Sequence, residues 1–416
     1  MGFLKVPLGP SPSDYEMVVG KPQMQELREA AEKLDGLRIL NVNSTSLGGG
    51  VAELLMSQIP LAQQLGVDLL WFVLECPPAF FDATKGLHNG LQGGEFNLSG
   101  SAEEFYLGCN HTNSNKIGSG YDVAFINDPQ PLPLIEFLTG IPVWLWRCHI
   151  DLSDPNPEIW QYLKKIIQKY NALIFHLPEY IQPDISYRPC YLIPPSIDPL
   201  SMKNQPLDET EIESIIRKYN IDLERPIISQ VGRFDPWKDP LGAIDVYRLV
   251  KQHRPDAQLL LVGAFASDDP EGEAWYRKTI AHAGEDRDIH ILSNLEGVGA
   301  HEVNAIQRAS DVALQLSKKE GFGLTVTEAS WKGVPVVGRP ATGIKHQILD
   351  GITGYLANTI EEAASRVLFL LKNPDVAEAM GDLARLNVSE HFIITRELTR
   401  QFKTIAATVE ATPNKT

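Results

Sequence analysis

Apolar residues in this chain gather in short apolar-rich runs rather than alternating strictly with polar ones. One series lies at residues 38–42, 69–74, 122–126, 142–146, 172–175 and 191–193. A second lies at 227–231, 259–262, 289–292, 312–316 and 334–337. Runs of this length without a polar face predict strands covered on both sides, as in a parallel sheet. Helical spacing occupies the intervals, over 24–34, 51–65 and 326–332, the last stopped by Gly333 with Pro335 beyond. Strands alternating with helices give an α/β fold with helices on both faces of the sheet. Residues 194–199 contain three prolines and can continue neither element. The pattern therefore predicts two doubly wound, Rossmann-like domains facing a cleft, residues 1–198 and 199–394. Leu398, Phe402, Ile405 and Val409 recur at helical spacing, so residues 395–416 are expected to form a helix crossing back to the first domain. The opening, with Pro7, Pro10, Pro12 and Pro22, reads as an extended arm.

In doubly wound sheets ligands collect beyond the C-terminal ends of the strands, and the distinctive polar residues of this chain stand there. The run at 312–316 leads into Glu320-Gly321-Phe322-Gly323-Leu324-Thr325 and on to Glu328. A strand, a glycine turn and a helix start direct unpaired N–H groups and the positive helix end at an anion. Glu320 and Glu328 are acceptor-only carboxylates, each able to hold a vicinal pair of sugar hydroxyls. Carboxylates on either side of a phosphate cradle suit a nucleotide sugar. After the run at 227–231 come Gly232, Arg233 and Lys238, a planar fork and a point charge fit for a diphosphate. In the first domain, Gly48, Gly49 and Gly50 follow a strand and permit close backbone approach. Asp128 and Gln130 follow another strand, and Arg147, His149 and Asp151 a third. Each group also has a plainer reading. A glutamate at a helix start serves as a cap partner, and the glycine loop as close packing. Arg147, His149 and Asp151 would form a salt-bridge knot, and the two cations would pair with Asp235 or Asp239. His176, also after a strand, reads as structural.

A chain of 416 residues with 43% hydrophobic content has room for two cores. Its formal net charge of −16 argues against nucleic acid or an anionic membrane as partner, while a few local cations suffice for a phosphorylated ligand. Cys76, Cys109, Cys148 and Cys190 are widely spaced, so no metal site or disulfide framework is indicated and a cytoplasmic location is expected. The N-terminal residues lack a signal-peptide core, and no apolar run approaches membrane-spanning length.

Together these segments resemble the retaining glycosyltransferases of family 4, which have the GT-B fold. The matching pieces are Gly232-Arg233 with Lys238, Leu261-Val262-Gly263, and Glu320 with Glu328 as the family's paired glutamates. Gly333-Val334-Pro335-Val336-Val337, Gly343-Ile344, Asp350-Gly351 and Thr353-Gly354 follow. In the first domain the resemblance is to the trehalose glycosyltransferring synthases of that family. It rests on residues 42–46 and 48–53, Asp128-Pro129-Gln130-Pro131, residues 144–153, residues 175–180 and residues 194–199. Asn127 stands where that family is expected to have a histidine. The resemblance implies reversible transfer of glucose from a nucleotide-diphosphate glucose to glucose, giving trehalose. It implies that Glu320 and His149 hold the donor sugar, Glu328 the ribose, and Arg233 and Lys238 the departing diphosphate. Gly321, Phe322, Gly323, Leu324 and Thr325 would offer backbone donors, and the Gly48–Gly50 loop would face donor and acceptor. No metal or other cofactor is required. The partners implied are small molecules, and a homodimer is compatible with them.

Other readings compete. A trehalose phosphorylase would place inorganic phosphate on the same cations, but a ribose-holding Glu328 has no purpose there. A family 4 enzyme with another small sugar acceptor shares every donor residue. A catalytically dead nucleotide-sugar sensor need not keep Glu320, Arg233, Lys238 and His149 together. A dinucleotide oxidoreductase lacks its glycine fingerprint, since three adjacent glycines are not G-x-G-x-x-G.

Overall fold

In the computed structural model, which describes residues 2–46, 50–95, 100–264 and 270–413, the apolar runs form two sheets. The chain divides into two compact units, residues 1–195 with 394–416, and residues 196–393.

Unit 1 opens with β1 (Gly2–Leu4), α1 (Pro12–Val19), α2 (Lys21–Glu32), β2 (Arg38–Asn43), α3 (Gly50–Gln64) and β3 (Asp68–Val73). Then come α4 (Pro78–Leu91), α5 (Gly100–Ile117), β4 (Val123–Asn127), β5 (Val143–Arg147), α6 (Pro157–Ile167), β6 (Ala172–Phe175) and β7 (Cys190–Leu192). Among the described residues its sheet runs β1-β3-β2-β4-β5-β6-β7, parallel except for β1. Unit 2 holds α7 (Glu209–Arg217), β8 (Ile227–Val231), α8 (Pro240–Lys251), β9 (Gln258–Gly263), α9 (Pro270–Ala283), β10 (Ile289–Ser293) and α10 (Ala300–Ala309). It continues with β11 (Val312–Gln315), α11 (Leu324–Trp331), β12 (Val336–Gly338), α12 (Thr342–Lys345), β13 (Gly354–Leu356), α13 (Ile360–Lys372) and α14 (Pro374–His391). Its sheet, β10-β9-β8-β11-β12-β13, is parallel in every pairing. The last helix, α15 (Ile394–Ala411), belongs to unit 1, where Leu398, Phe402 and Ile405 are buried.

The cores explain why the runs are strands. Every residue of β4, β5 and β6 is buried, because helices cover both faces. Trp146 lies edge-on to Phe175, and Trp144 to Tyr170, filling one side of the unit 1 sheet. On the neighbouring strands β3 and β2 a buried polar pair is bonded, Trp71 Nε1 donating to Asn43 Oδ1 at 2.7 Å.

Strand order decides where function can sit. In unit 2 the order reverses between β8 and β11, and in unit 1 between β2 and β4. Helices leave such neighbouring strands toward opposite faces, which opens a crevice at their C-terminal ends. The loops at these switch points are 232–239 and 316–323 in unit 2, and in unit 1 the loop after Asn43 and the residues from Asp128.

The N-terminal arm is not extended. β1 pairs antiparallel with β3, Phe3 opposite Phe72, and residues 12–19 and 21–32 are helical. Two of the arm's four prolines, Pro12 and Pro22, sit in first turns, where the missing N–H costs nothing. Pro12 follows the N-cap Ser11, which forms a reciprocal cap with Asp14, and Pro22 opens α2. α11 begins at Leu324, two residues before the expected start, because Gly323 takes a left-handed conformation and turns the chain directly into the helix. Strand β13 has too little apolar sequence to announce itself. Among the described residues no helix is long and apolar enough to cross a membrane.

Candidate active site

In unit 2 the two switch-point loops are tied together by a buried amide. Gln230, on β8, donates through Nε2 to the Lys238 carbonyl at 3.0 Å and accepts at Oε1 from the Leu316 N–H at 3.3 Å. Asp235 Oδ1 accepts the Lys238 N–H at 2.8 Å and closes the turn. Lys238 Nζ then pairs with Glu320 Oε2, which also accepts from Ser317 Oγ at 3.2 Å and Gln315 Nε2 at 3.4 Å. Three donors converge on Oε2, while Oε1 has no partner among the described residues. The carboxylate is thus fixed in place with acceptor capacity to spare.

Two glycines make this turn possible. Gly323 has φ +87°, and a Cβ there would lie 3.0 Å from Glu320 Cγ. A Cβ on Gly343 would meet Phe322 Cα at 2.4 Å, where the Gly343 N–H donates to the Glu320 carbonyl at 3.0 Å. Gln347 braces the same turn through bonds to the Phe322, Gly323 and Gly343 carbonyls. No side chain caps α11, so its first N–H groups and positive end face the loop region. Thr325 Oγ1 donates to Gln315 Oε1 at 2.9 Å.

The two cations already have carboxylate partners. Arg233 pairs with Asp235 at 3.2 Å, its side chain 68% exposed, so this contact is weak. Asp239 instead takes Arg339 at 3.0 Å and Lys318 at 3.1 Å. Glu328, further along α11, is only 4% exposed and lies 3.4 Å from Lys203. Beside it Lys332 is buried, donating to Asn204 Oδ1, Gln307 Oε1 and the Glu328 carbonyl. Burial pushes the Lys332 amine down to about 7.

Unit 1 treats its polar cluster differently. Asn127 Nδ2 donates to the Val42 carbonyl at 3.0 Å and to Asn41 Oδ1 at 2.8 Å. A carbonyl can only accept, so the orientation of the amide is fixed and Asn127 Oδ1 is the acceptor facing His149 Nε2 at 3.1 Å. His149 therefore carries its proton on Nε2, and its Nδ1 accepts from His176 Nε2 at 3.1 Å. Burial holds both imidazoles well below the usual histidine range, and the Arg147 charge adds to this. Asp128, at φ +65°, accepts the His149 N–H at 2.7 Å, and burial pushes its carboxyl up to about 7.

Several expectations change as a result. His149 was expected to hold a sugar, but both its ring nitrogens are occupied within unit 1. His176, read as a separate structural residue, is its bonding partner. Arg147, read as sugar-facing, is 2% exposed. It is locked to Glu397 of α15 and to the Ile193 carbonyl, because a buried guanidinium requires a buried carboxylate. Asp151 neither pairs with Arg147 nor stands open; its Oδ1 accepts the Ser153 N–H at 2.9 Å. The Gln130 carbonyl accepts from Asn110, while its buried Oε1 has no partner among the described residues. Gly50 opens α3, whereas Gly48 and Gly49 lie outside the described residues. Lys203 and Gln347 carried no recognisable signal in the sequence, being remote from any strand-end motif. His176 did, since it follows β6 much as His149 follows β5.

Comparison with known proteins decides what these strand-end loops belong to. Residues 41–182 match the family model described as trehalose synthase, N-terminal domain, and residues 211–387 match glycosyl transferases group 1. The trehalose synthase of Pyrococcus horikoshii is 51% identical over 93% of this chain and 94% of its own length. The chain belongs to the trehalose synthase family. The trehalose synthase of Rubrobacter xylanophilus is 43% identical over the same shares. A trehalose phosphorylase of Pleurotus pulmonarius is 28% identical, and the match spans 91% of this chain and 58% of that enzyme. Among solved structures, sucrose-phosphate synthase from Thermosynechococcus elongatus superposes with TM-score 0.68 at 16% identity, covering 91% of this chain and all of that one. The α,α-trehalose-phosphate synthase (UDP-forming) from Burkholderia xenovorans gives 0.71 at 12% identity, covering 89% of this chain and all of that one. These neighbours place both units in the GT-B fold. The protein is an enzyme that transfers glycosyl groups in trehalose metabolism.

Proposed function

We propose that this enzyme transfers glucose, with retention, from a nucleotide-diphosphate glucose to the anomeric hydroxyl of α-glucose, giving α,α-1,1-trehalose and the nucleotide diphosphate. The single observation that supports it best is the pairing of Lys238 with Glu320 at the unit 2 switch point, ahead of an uncapped helix that carries Glu328. Glu320 Oε1 is the acceptor for donor-sugar hydroxyls, and Glu328 for those of the ribose. Lys238, Arg233 and the α11 N–H groups take the diphosphate. The bond from the sugar C1 to the diphosphate oxygen breaks as the acceptor oxygen adds on the same face. The acceptor proton leaves with the departing phosphate. Charge grows on that phosphate in the transition state, so cations fixed beforehand lower the barrier. No enzyme carboxylate attacks C1, and Glu320, held by Lys238, is a binder. The acceptor pocket is assigned to unit 1, around Gly48, Gly49, Gly50, Asp128, Gln130 and Asp151. Arg147 and His149, each bonded within unit 1, hold the strand end that carries them.

The partners are small molecules, and the enzyme works in the cytoplasm without a metal.

The test is product analysis after incubation with labelled nucleotide-glucose and glucose. A non-reducing disaccharide and free nucleotide diphosphate are expected. A reducing disaccharide would overturn the linkage. Release of glucose 1-phosphate from trehalose and inorganic phosphate, with no use of nucleotide-glucose, would establish a phosphorylase.

A further inference from the structure

Glu328 is almost completely buried, and besides the nearby charge of Lys332 one cation stands within ion-pair distance of its carboxylate among the described residues. That is Lys203, 3.4 Å from Oε1 and 24% exposed. A buried carboxylate with no cation beside it would neutralise or turn away. Lys203 stands on the turn at 201–205, just past the 194–199 segment, and that turn is clamped from several sides. Asn204 is buried and bonds the Asp198 carbonyl at 3.1 Å. Lys332 Nζ holds its Oδ1 at 2.9 Å, and Trp331 Nε1 and Arg308 Nη2 reach its carbonyl. Asn304 Nδ2 donates to the Met202 and Gln205 carbonyls, on either side of Lys203. Asn304 and Arg308 of α10, Trp331 of α11 and the Lys332 that ends α11 thus fix the backbone that brings the Lys203 amine to Glu328. A turn needed only to connect β7 with α7 would not call for this many bonds.

We propose that Lys203 is a positioning residue for the nucleotide. It keeps Glu328 ionised and aimed while leaving the second carboxylate oxygen to accept ribose hydroxyls. This deepens the reading of Glu328 as the ribose ligand and rests on it. Lys203 itself sits outside the chemistry, so it governs affinity for the donor and not the breaking bond.

The experiment compares Lys203→Met, Lys203→Arg and Glu328→Gln with a nucleotide-diphosphate glucose and with its 2′,3′-dideoxyribose analogue. Lys203→Met should raise the KM for the normal donor roughly tenfold, with kcat within about twofold, as loss of uniform binding requires. Lys203→Arg should restore most of the affinity. With the dideoxy analogue the wild type and Lys203→Met should be equal, because the carboxylate has nothing left to hold. An equal KM penalty on both donors, or a fall in kcat at unchanged KM, would overturn the proposal. If Glu328→Gln raises the KM and Lys203→Met does not, this inference alone fails. If neither variant affects the KM, the ribose reading of Glu328 fails and takes the inference with it.

Discussion

The two units carry polar clusters at equivalent places, the C-terminal ends of parallel strands beside a switch in strand order, and use them in opposite ways. In unit 1, Asn127, His149 and His176 form a directed chain of hydrogen bonds that takes both ring nitrogens of His149, and Arg147 is buried against Glu397. In unit 2, Glu320 and Glu328 are each fixed through one oxygen while the other remains an open acceptor. A closed network is rigid and costly to disturb; an open one has lone pairs to give to a ligand. Position at a strand end marks where a site lies, but the bonding inventory of each side chain tells support from ligand.

The strongest way to break this contrast is at Arg147. Arg147→Met should cost roughly 3–5 kcal/mol of stability, because it strands a buried carboxylate. The double variant Arg147→Met, Glu397→Met should recover much of it in urea unfolding. If the single variant were as stable as the wild type but lost activity, Arg147 would belong with the ligands. In unit 2, Lys238→Ala should lower kcat by about two orders of magnitude, near 3 kcal/mol, with the fold intact. Arg233→Ala should also reduce kcat, but less, since its side chain is largely exposed and already screened. Steady-state rates at saturating donor and acceptor measure both, and unaltered kcat in either removes that cation from the leaving-group role. Glu328→Ala should raise donor KM by roughly tenfold, the loss of a buried charged acceptor, with a smaller change in kcat.

A test by pH probes the unit 1 network. His149 and His176 stay neutral in the folded protein, below their ordinary value of 6.5. Above pH 6.5 folded and unfolded chains agree. Below it the unfolded chain binds protons that the folded one refuses, and stability falls with acid. Asp128 acts oppositely. Its folded value is about 7 against an ordinary 3.8, so between those values the folded state holds the extra proton and gains as pH falls. Asp128→Asn removes the opposing effect. Its acid loss of stability between pH 6.5 and 4 should be steeper than that of the wild type by up to about 1.4 kcal/mol per pH unit. The variant's advantage should also be larger at pH 8 than at pH 5. Thermal unfolding across that range measures it, and parallel curves would mean that Asp128 is not titrating.

By itself the sequence determined the alternation of buried strands and helices, and with it the fold class. A strand covered on both faces must be mostly apolar, and that is a local signature. It also located the strand-end loops that carry Arg233, Lys238 and Glu320, with Glu328 further along the helix that follows. It misjudged the opening because proline breaks a helix interior and starts a helix equally well, and only the cap at Ser11 and pairing with β3 choose between them. What only the tertiary structure decided is who bonds whom. Arg147 and Glu397 are 250 residues apart in sequence, and nothing local to either foretells that α15 will carry one to the other. Likewise Lys203 reaches Glu328 only because α10 and α11 hold an otherwise unremarked turn. Propensity and periodicity act over one or two turns of chain, whereas a buried charge is satisfied by whatever the fold brings within about 3 Å of it.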